Sequence, residues 1–230
     1  MIPPPENPLV VALDLADLEA AERLAAELAD VAGMLKVGLE LFTAHGPEAV
    51  RRIGVHGPVF LDLKLHDIPT TVERASRACA RLGVRMLTVH ALGGEAMVRA
   101  AVRGAAAGAE EAGVEPPLVA AVTVLSSLDE ALASPASLAF EAVQAGARAV
   151  VVSGADVAVV RQALGEEVAL VVPGIRPEGS DGHDQVRVLT PREALEAGAD
   201  YLVVGRPITT AADPVGAARG ILAQARRNRR

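Results

Sequence analysis

The residues that decide the fold read Val59-Phe-Leu-Asp-Leu-Lys-Leu-His-Asp-Ile-Pro69. The stretch begins as an apolar run of the length of a β-strand, although it carries an aspartate and a lysine. Pro69 then stands at a position that favours the first turn of a helix, and residues 72–82 have apolar side chains at helical spacing. A buried strand followed at once by a helix is typical of an α/β fold.

The same strand-and-helix unit repeats along the whole chain. Apolar runs of strand length occur at eight places: Leu9–Leu13, Met34–Val37, Val59–Leu63, Met86–Val89, Leu118–Val124, Ala149–Val152, Ala169–Val172 and Tyr201–Val204. Segments with helical spacing follow them at Asp17–Leu28, Glu48–Ile53, Val72–Leu82, Ala96–Ala112, Pro135–Ala145, Val157–Leu164, Arg192–Ala197 and Val215–Ala225. Eight strands alternating with eight helices, without a break in composition, predict a single (β/α)8 TIM barrel that occupies residues 1–230 as one domain. A doubly wound sheet is the alternative, but the chain has neither the Gly-x-Gly-x-x-Gly pattern nor the P-loop motif that often accompany that fold.

Composition and charge exclude several classes of protein. The chain is 51% hydrophobic but only 2% aromatic, so its core must be built from Ala, Val and Leu. A net charge of −7 argues against nucleic acid as a partner. No apolar stretch approaches the roughly 18 residues of a membrane span, and Met1–Pro8 has no basic region before an apolar run. The single cysteine, Cys79, allows no intrachain disulfide and predicts a buried thiol in a soluble, cytoplasmic protein.

Charged and polar side chains gather where the predicted strands end. In a (β/α)8 barrel the active site forms at the carboxyl ends of the strands, so these residues are the candidates for function. They are Asp14, Lys36, Asp62, Lys64, His66, Asp67, His90, Thr123, Ser126, Arg176, Gln185, Gly205 and Arg206. No group of them has the spacing of a metal site, and no Ser-His-Asp arrangement is evident.

Lys36 and Lys64 stand out because the other 20 of the 22 basic residues are arginines. Lysine can donate a proton near neutral pH, whereas arginine cannot. Asp62 and Lys64 are two apart on a strand and therefore face the same side. With Asp67 they place two carboxylates beside one ammonium, which keeps the lysine charged. This pattern predicts that Lys64 is a general acid. The alternative is that Lys64 is a buried structural cation and that Asp62 and Asp67 are only its structural partners.

A phosphate site is predicted after the last two strands. Gly205 and Arg206 open the last helix, where backbone N–H groups and a guanidinium suit an anion. Barrel enzymes often bind phosphate in the loops after strands seven and eight. Arg176 and Gln185 lie on the long polar connection from 174 to 190. The alternative is that both arginines form ordinary surface salt bridges.

The segment Asp62-Leu-Lys-Leu-His-Asp-Ile-Pro-Thr-Thr71 strongly resembles the signature of the orotidine 5′-phosphate decarboxylase family in its bacterial form. The resemblance extends over nearly the whole chain, in order and at the strand ends. It includes Val-Ala-Leu-Asp14, Lys36-Val-Gly-Leu-Glu-Leu-Phe42, Thr88-Val-His-Ala-Leu-Gly-Gly94, Val122-Thr-Val-Leu-Ser-Ser127, Pro173-Gly-Ile-Arg-Pro177, Asp184-Gln-Val-Arg187 and Val203-Val-Gly-Arg-Pro-Ile-Thr209.

The resemblance implies an activity and an assembly. Members of the family convert orotidine 5′-phosphate to uridine 5′-phosphate and carbon dioxide in pyrimidine synthesis. They use no metal and no organic cofactor, and they are homodimers with sites near the subunit interface. The expected partners are therefore the small-molecule substrate and a second copy of the chain, with no nucleic acid and no membrane.

The resemblance also implies a role for each matching residue. Lys64 resembles the proton donor to C6 of the pyrimidine, and Asp62 resembles the carboxylate near the departing group. Asp67 would reach the neighbouring subunit's site, with Ile68 and Thr71 lining it. The remaining assignments are Asp14 and Lys36 at the ribose, with Lys36 also organising the charges, Ser126 at the base, and Arg176, Gln185, Gly205 and Arg206 at the phosphate.

Two other functions are left open by the residues. A sugar-phosphate decarboxylase or aldolase barrel has a similar Asp-x-Lys-x-x-Asp strand, and many such enzymes need a metal. A nucleotide-binding barrel without catalytic activity is the alternative from a different class. Retention of activity in the presence of a chelator argues against the first, and turnover argues against the second.

Overall fold

Eight short parallel strands pair in chain order and close a barrel, with β8 beside β1. The computed structural model describes residues 5–123, 134–177 and 189–226. The strands are β1 Leu9–Ala12, β2 Met34–Gly38, β3 Val59–Leu65, β4 Met86–His90, β5 Leu118–Val122, β6 Ala149–Val151, β7 Ala169–Pro173 and β8 Tyr201–Val204. The predicted (β/α)8 barrel is confirmed, and each predicted apolar run overlaps one strand.

Helices cover the outside of the barrel. Within the described residues they are α1 Leu18–Leu28, α2 Leu39–His45, α3 Pro47–Gly54, α4 Pro69–Ala80, α5 Gly94–Ala112, α6 Pro135–Gln144, α7 Val157–Leu164, α8 Pro191–Glu196, α9 Arg206–Thr209 and α10 Pro214–Arg226. The sequence prediction missed α2 and α9. Both begin directly after a glycine that follows the apolar run of a strand, and both are too short to show a helical period.

Alternate residues of the strands fill the barrel interior as a cluster separate from the outer core. Its buried members are Val10, Ala12, Met34, Phe60, Met86, Ala120, Ala149, Ala169, Val171, Tyr201 and Val203. A second layer of mainly Ala, Val and Leu lies between strands and helices. The predicted core composition is therefore confirmed, and Phe60 and Tyr201 are the aromatic side chains of the interior cluster.

Strand β3 departs from regular pairing where its charged residues lie. Its register with β4 shifts between Leu61 and Leu65. Lys64 has φ of 49°, which makes it the one residue other than glycine with positive φ in the described parts of the chain. Such a conformation disfavours an L side chain and persists only where the surrounding structure holds it, often at a functional site.

Two further expectations concern burial and membranes. Cys79 lies in α4 and is buried, as predicted. None of the helices formed by residues 5–123, 134–177 and 189–226 is both long and apolar enough to span a membrane.

Candidate active site

A cavity of about 350 Å³ opens at the carboxyl ends of the strands. Below it lie the interior side chains Ala12, Phe60, Val171 and Val203, which also form part of its wall. Seven of the predicted site residues line it: Asp14, Lys36, Asp62, Lys64, Arg176, Gly205 and Arg206. The barrel thus brings together residues that are almost 200 positions apart in the chain.

Four of these residues form a row of alternating charge across β1, β2 and β3. Lys36 Nζ lies 3.0 Å from Asp14 Oδ1 and 3.5 Å from Asp62 Oδ2. Lys64 Nζ donates to both oxygens of Asp62, at 2.9 and 2.8 Å. Lys36 is buried, with 7% of its surface exposed, and these two carboxylates are its ion-pair partners.

The charge state of Asp62 follows from its neighbours. Burial alone would raise the pKa of this carboxyl group. The charges of Lys36 and Lys64, with hydrogen bonds from Lys64 and Thr88, outweigh burial and hold the pKa below its ordinary value. Asp62 is therefore ionised at neutral pH.

The prediction that Asp67 flanks Lys64 is wrong within this chain. Both residues are described, yet Lys64 forms its salt bridge with Asp62 alone. The chain turns away after β3, and Asp67 Oδ1 instead accepts the backbone N–H of Ile68 at 2.7 Å. Asp67, Ile68 and Thr71 are exposed and do not line the cavity of their own chain.

Gly38 makes room for the charge row, a role that the sequence prediction missed. A Cβ atom at this position would lie 2.8 Å from Asp14 Oδ1 and 3.0 Å from Lys36 Nζ. Any side chain would therefore press on the salt bridge. The signal in the sequence was a glycine at the end of the strand that carries Lys36.

Two arginines supply positive charge to the same cavity. Arg176 follows β7 and is 7% exposed. Burial, and secondarily the charge of Arg206, lower the pKa of Arg176 from its ordinary value. Two neighbouring guanidinium groups favour an anion between them, because it offsets their mutual repulsion.

The structure corrects the prediction that Gly205 and Arg206 open the last helix. They open α9, a single turn of four residues, whereas α10 begins at Pro214. The positive character of this part of the cavity therefore comes mainly from the two guanidinium groups. Ser126 and Gln185 lie outside the described residues.

Thr88, in β4, is a polar residue of the site that was not predicted as one. Its hydroxyl group contacts both Asp62 and Lys64. The signal was a threonine within the otherwise apolar run Met86–Val89. Nearby, the rings of His66 and His90 stack with centroids 5.4 Å apart. The described residues contain no group of three or more His, Cys, Asp or Glu side chains arranged to hold a metal ion.

The fold and the site define the class of protein: a (β/α)8-barrel enzyme with a charged active-site cavity at the carboxyl ends of its strands. The model of the orotidine 5′-phosphate decarboxylase / HUMPS family matches residues 7–221. The chain belongs to this family.

Relatives resemble the chain over almost its whole length. It is 52% identical to the orotidine 5′-phosphate decarboxylase of Moorella thermoacetica, over 95% of this chain and 92% of that protein. It is 53% identical to the enzyme of the same name from Anaeromyxobacter dehalogenans, over 95% and 98%. The crystal structure of orotidine 5′-phosphate decarboxylase from Lactobacillus acidophilus superposes with a TM-score of 0.82 at 36% identity, covering 96% of this chain and 100% of that one.

Proposed function

We propose that this chain decarboxylates orotidine 5′-phosphate to uridine 5′-phosphate and carbon dioxide, the reaction for which its relatives are named. One observation carries the proposal. The Lys64 ammonium is held by both oxygens of Asp62 in a cavity that also contains Arg176 and Arg206. A proton donor and an anion-binding region in one cavity suit a substrate that has a phosphate at one end and a reacting carbon at the other.

The chemistry requires a fixed cation beside the reacting carbon. When the bond from C6 to the carboxylate breaks, its electron pair stays on C6, in an orbital outside the π-system of the ring. Ring delocalisation therefore cannot stabilise the pair, whereas a nearby ammonium can. We assign this role to Lys64. Its N–H bond then breaks as the new C6–H bond forms, and the neutral amine takes a proton from solvent.

The other members of the charge row position Lys64 and the substrate. We assign Asp62 first to holding the Lys64 ammonium, because both of its oxygens accept from Nζ. Repulsion between Asp62 and the substrate carboxylate is a second contribution. Asp14 and Lys36, at the other end of the row, are assigned to the ribose hydroxyl groups.

The remaining assignments concern the two ends of the substrate. Arg176, Arg206 and Gly205 would bind the phosphate together with Gln185, and Ser126 would bind the base. Phosphate binding far from C6 supplies energy that can be used to lower the barrier at the reacting carbon. The reaction as proposed needs neither a metal nor an organic cofactor.

We also propose a homodimer in which Asp67, Ile68 and Thr71 reach the partner's cavity. Their exposure, with Ile68 67% exposed, supports a contact outside the chain. A mixture of Lys64→Ala and Asp67→Ala subunits tests this. Each variant alone should be inactive, and random mixing should restore about a quarter of the sites, because half of the dimers are hybrids with one intact site. No recovery would contradict the shared site.

The location that we propose is the cytoplasm, since a free thiol suits a reducing compartment.

The decisive experiment follows the loss of orotidine 5′-phosphate absorbance with and without a chelator. The wild-type chain should be active in both conditions. Lys64→Ala should keep the fold, judged by circular dichroism, and lose turnover. Activity that disappears with the chelator would favour a metal-dependent sugar-phosphate barrel. Binding of uridine 5′-phosphate without turnover would favour a nucleotide-binding protein.

A further inference from the structure

The hydroxyl group of Thr88 makes both of its hydrogen bonds to the charge row. Thr88 lies in the middle of β4 and is fully buried. Its Oγ1 accepts the backbone N–H of Lys64 at 2.8 Å and donates to Asp62 Oδ1 at 2.9 Å. The direction of each bond is fixed by chemistry, because an N–H group can only donate and a carboxylate can only accept.

These contacts occur where the pairing of β3 with β4 is interrupted. The register shift lies between Leu61 and Leu65, so Lys64 is within the irregular segment. Its backbone N–H donates to a side chain of β4. The same residue has the unfavourable φ of 49°. Thr88 thus supports a backbone conformation that the local sequence does not prefer.

The contacts also form a closed ring. Thr88 holds the backbone of Lys64 and the carboxylate of Asp62, and that carboxylate holds the ammonium at the other end of the lysine side chain. A lysine has four flexible torsions and a mobile head. The Thr88 hydroxyl group holds the backbone end of this lysine directly and its ammonium end through Asp62, which restricts where the ammonium can lie.

We propose that Thr88 is a positioning residue, whose hydroxyl group sets the direction of the Lys64 ammonium toward the reacting carbon. The inference rests on the proposed function, because it concerns the same cavity and the same reaction. Thr88 does not line the cavity, so the proposed role involves no contact between Thr88 and the substrate.

The test compares Thr88→Val with Thr88→Ser in steady-state decarboxylation of orotidine 5′-phosphate. Valine keeps the branched shape and removes the hydroxyl group, whereas serine keeps the hydroxyl group. Thr88→Val should lower kcat by about 10- to 100-fold, with KM changed less than about threefold, because a misplaced catalytic group affects the chemical step. Thr88→Ser should keep kcat within about fivefold of wild type.

Thr123→Val is the matched control. Thr123, the residue after β5, was a strand-end candidate but does not line the cavity. It is also fully buried, and its hydroxyl group donates to the backbone oxygen of Val151 at 3.1 Å. The same chemical change there should lower the urea midpoint and leave kcat within about threefold of wild type. Should Thr88→Val fail to fold, Thr88→Ala and Thr88→Ser replace it, because these two variants differ only by the hydroxyl group. Serine should then exceed alanine in kcat by at least about tenfold.

Several outcomes would overturn the role of Thr88. One is a folded Thr88→Val with kcat within about twofold of wild type. Another is an equal loss of kcat in Thr88→Ser and in the variants without the hydroxyl group. A third is a Thr123→Val that loses kcat as severely as Thr88→Val. A wild-type chain that does not decarboxylate orotidine 5′-phosphate overturns the proposed function and this inference together. An active wild type with an unimpaired Thr88→Val overturns the inference alone.

Discussion

Lys36 and Lys64 occupy positions that suit a compact ammonium group better than a guanidinium. Lys36 Nζ lies between two carboxylates, and a Cβ atom on neighbouring Gly38 would come within 3.0 Å of it. The planar, forked head of arginine is larger and needs coplanar acceptors. A chain with 20 arginines and two lysines thus has both lysines in the charge row, where proton transfer is proposed.

At the residue scale, Arg206→Ala should lower kcat/KM for orotidine 5′-phosphate by about 100-fold. The variant removes a charge-assisted contact to the phosphate, and a loss of that size corresponds to about 2.7 kcal/mol. Arg219→Ala, at an exposed position of α10, is the control and should leave kcat/KM within about twofold. An unchanged kcat/KM in Arg206→Ala would remove the residue from the phosphate site.

Cys79 offers a second test at this scale, because it is the only thiol in the chain. Burial raises the pKa of Cys79 to about 11, so the folded protein retains its thiol proton where the unfolded chain has lost it. This contribution to stability is complete below the unfolded value, near pH 8.5, and is lost as the pH rises toward 11. Wild type should therefore lose stability relative to Cys79→Ala over this range in urea titrations.

Iodoacetamide labelling provides the control for Cys79. At pH 8 the native chain should react far more slowly than the chain in urea, because the thiolate is the reactive species and burial suppresses it. Equal labelling rates for native and unfolded chains would contradict the buried thiol.

At the scale of elements, α4 and α5 pack with their backbones unusually close. Cβ atoms at Gly104 and Gly108 would lie 2.1 and 2.2 Å from backbone oxygens of Glu73 and Arg77. Salt bridges join the same helices, among them Arg103 with Glu73 at 2.8 Å. Because α4 begins directly after Ile68, this packing also fixes how the exposed segment 67–71 is presented.

Gly108→Ala should lower the free energy of unfolding by about 1–3 kcal/mol, since the added methyl group has no space. Gly220→Ala is the matched control in α10. It is exposed, nothing lies within 4 Å of its Cβ position, and alanine should raise stability by about 0.5–1 kcal/mol. Urea denaturation of both variants measures the contrast. A Gly108→Ala as stable as wild type would refute the close packing.

At the scale of the whole molecule, the two ends of the barrel have different tasks. The carboxyl ends carry the cavity, whereas Arg161 and Asp200 form a buried network before β7 and β8. Arg161 donates to Asp200 Oδ2 at 2.6 Å and to the backbone oxygens of Gly165, Val168 and Gly198. Asp200 Oδ2 also accepts the backbone N–H of Leu170, at 2.8 Å. The network joins α7 to both strands, far from the reacting groups.

Arg161→Met should therefore lower the free energy of unfolding by about 3–5 kcal/mol, because it leaves a largely buried carboxylate without its partner. The kcat of the folded variant should stay within about twofold of wild type. Arg23→Met, which removes an exposed pair with Glu19, should change stability by less than about 1 kcal/mol. A large fall in kcat for folded Arg161→Met would show that the two ends of the barrel are coupled.

The amino-acid sequence by itself determined the strand and helix alternation, the closed barrel and seven residues of its cavity. These follow from local periodicity and from the rule that strand ends meet on one face. Only the tertiary structure decided that Lys36 contacts both Asp14 and Asp62 and that Lys64 pairs with Asp62 and not with Asp67. It also decided that the Thr88 hydroxyl group accepts the backbone N–H of Lys64 in the irregular segment of β3. The physical reason is that these contacts depend on register between strands and on a backbone irregularity. Neither is encoded in the spacing of residues along one strand.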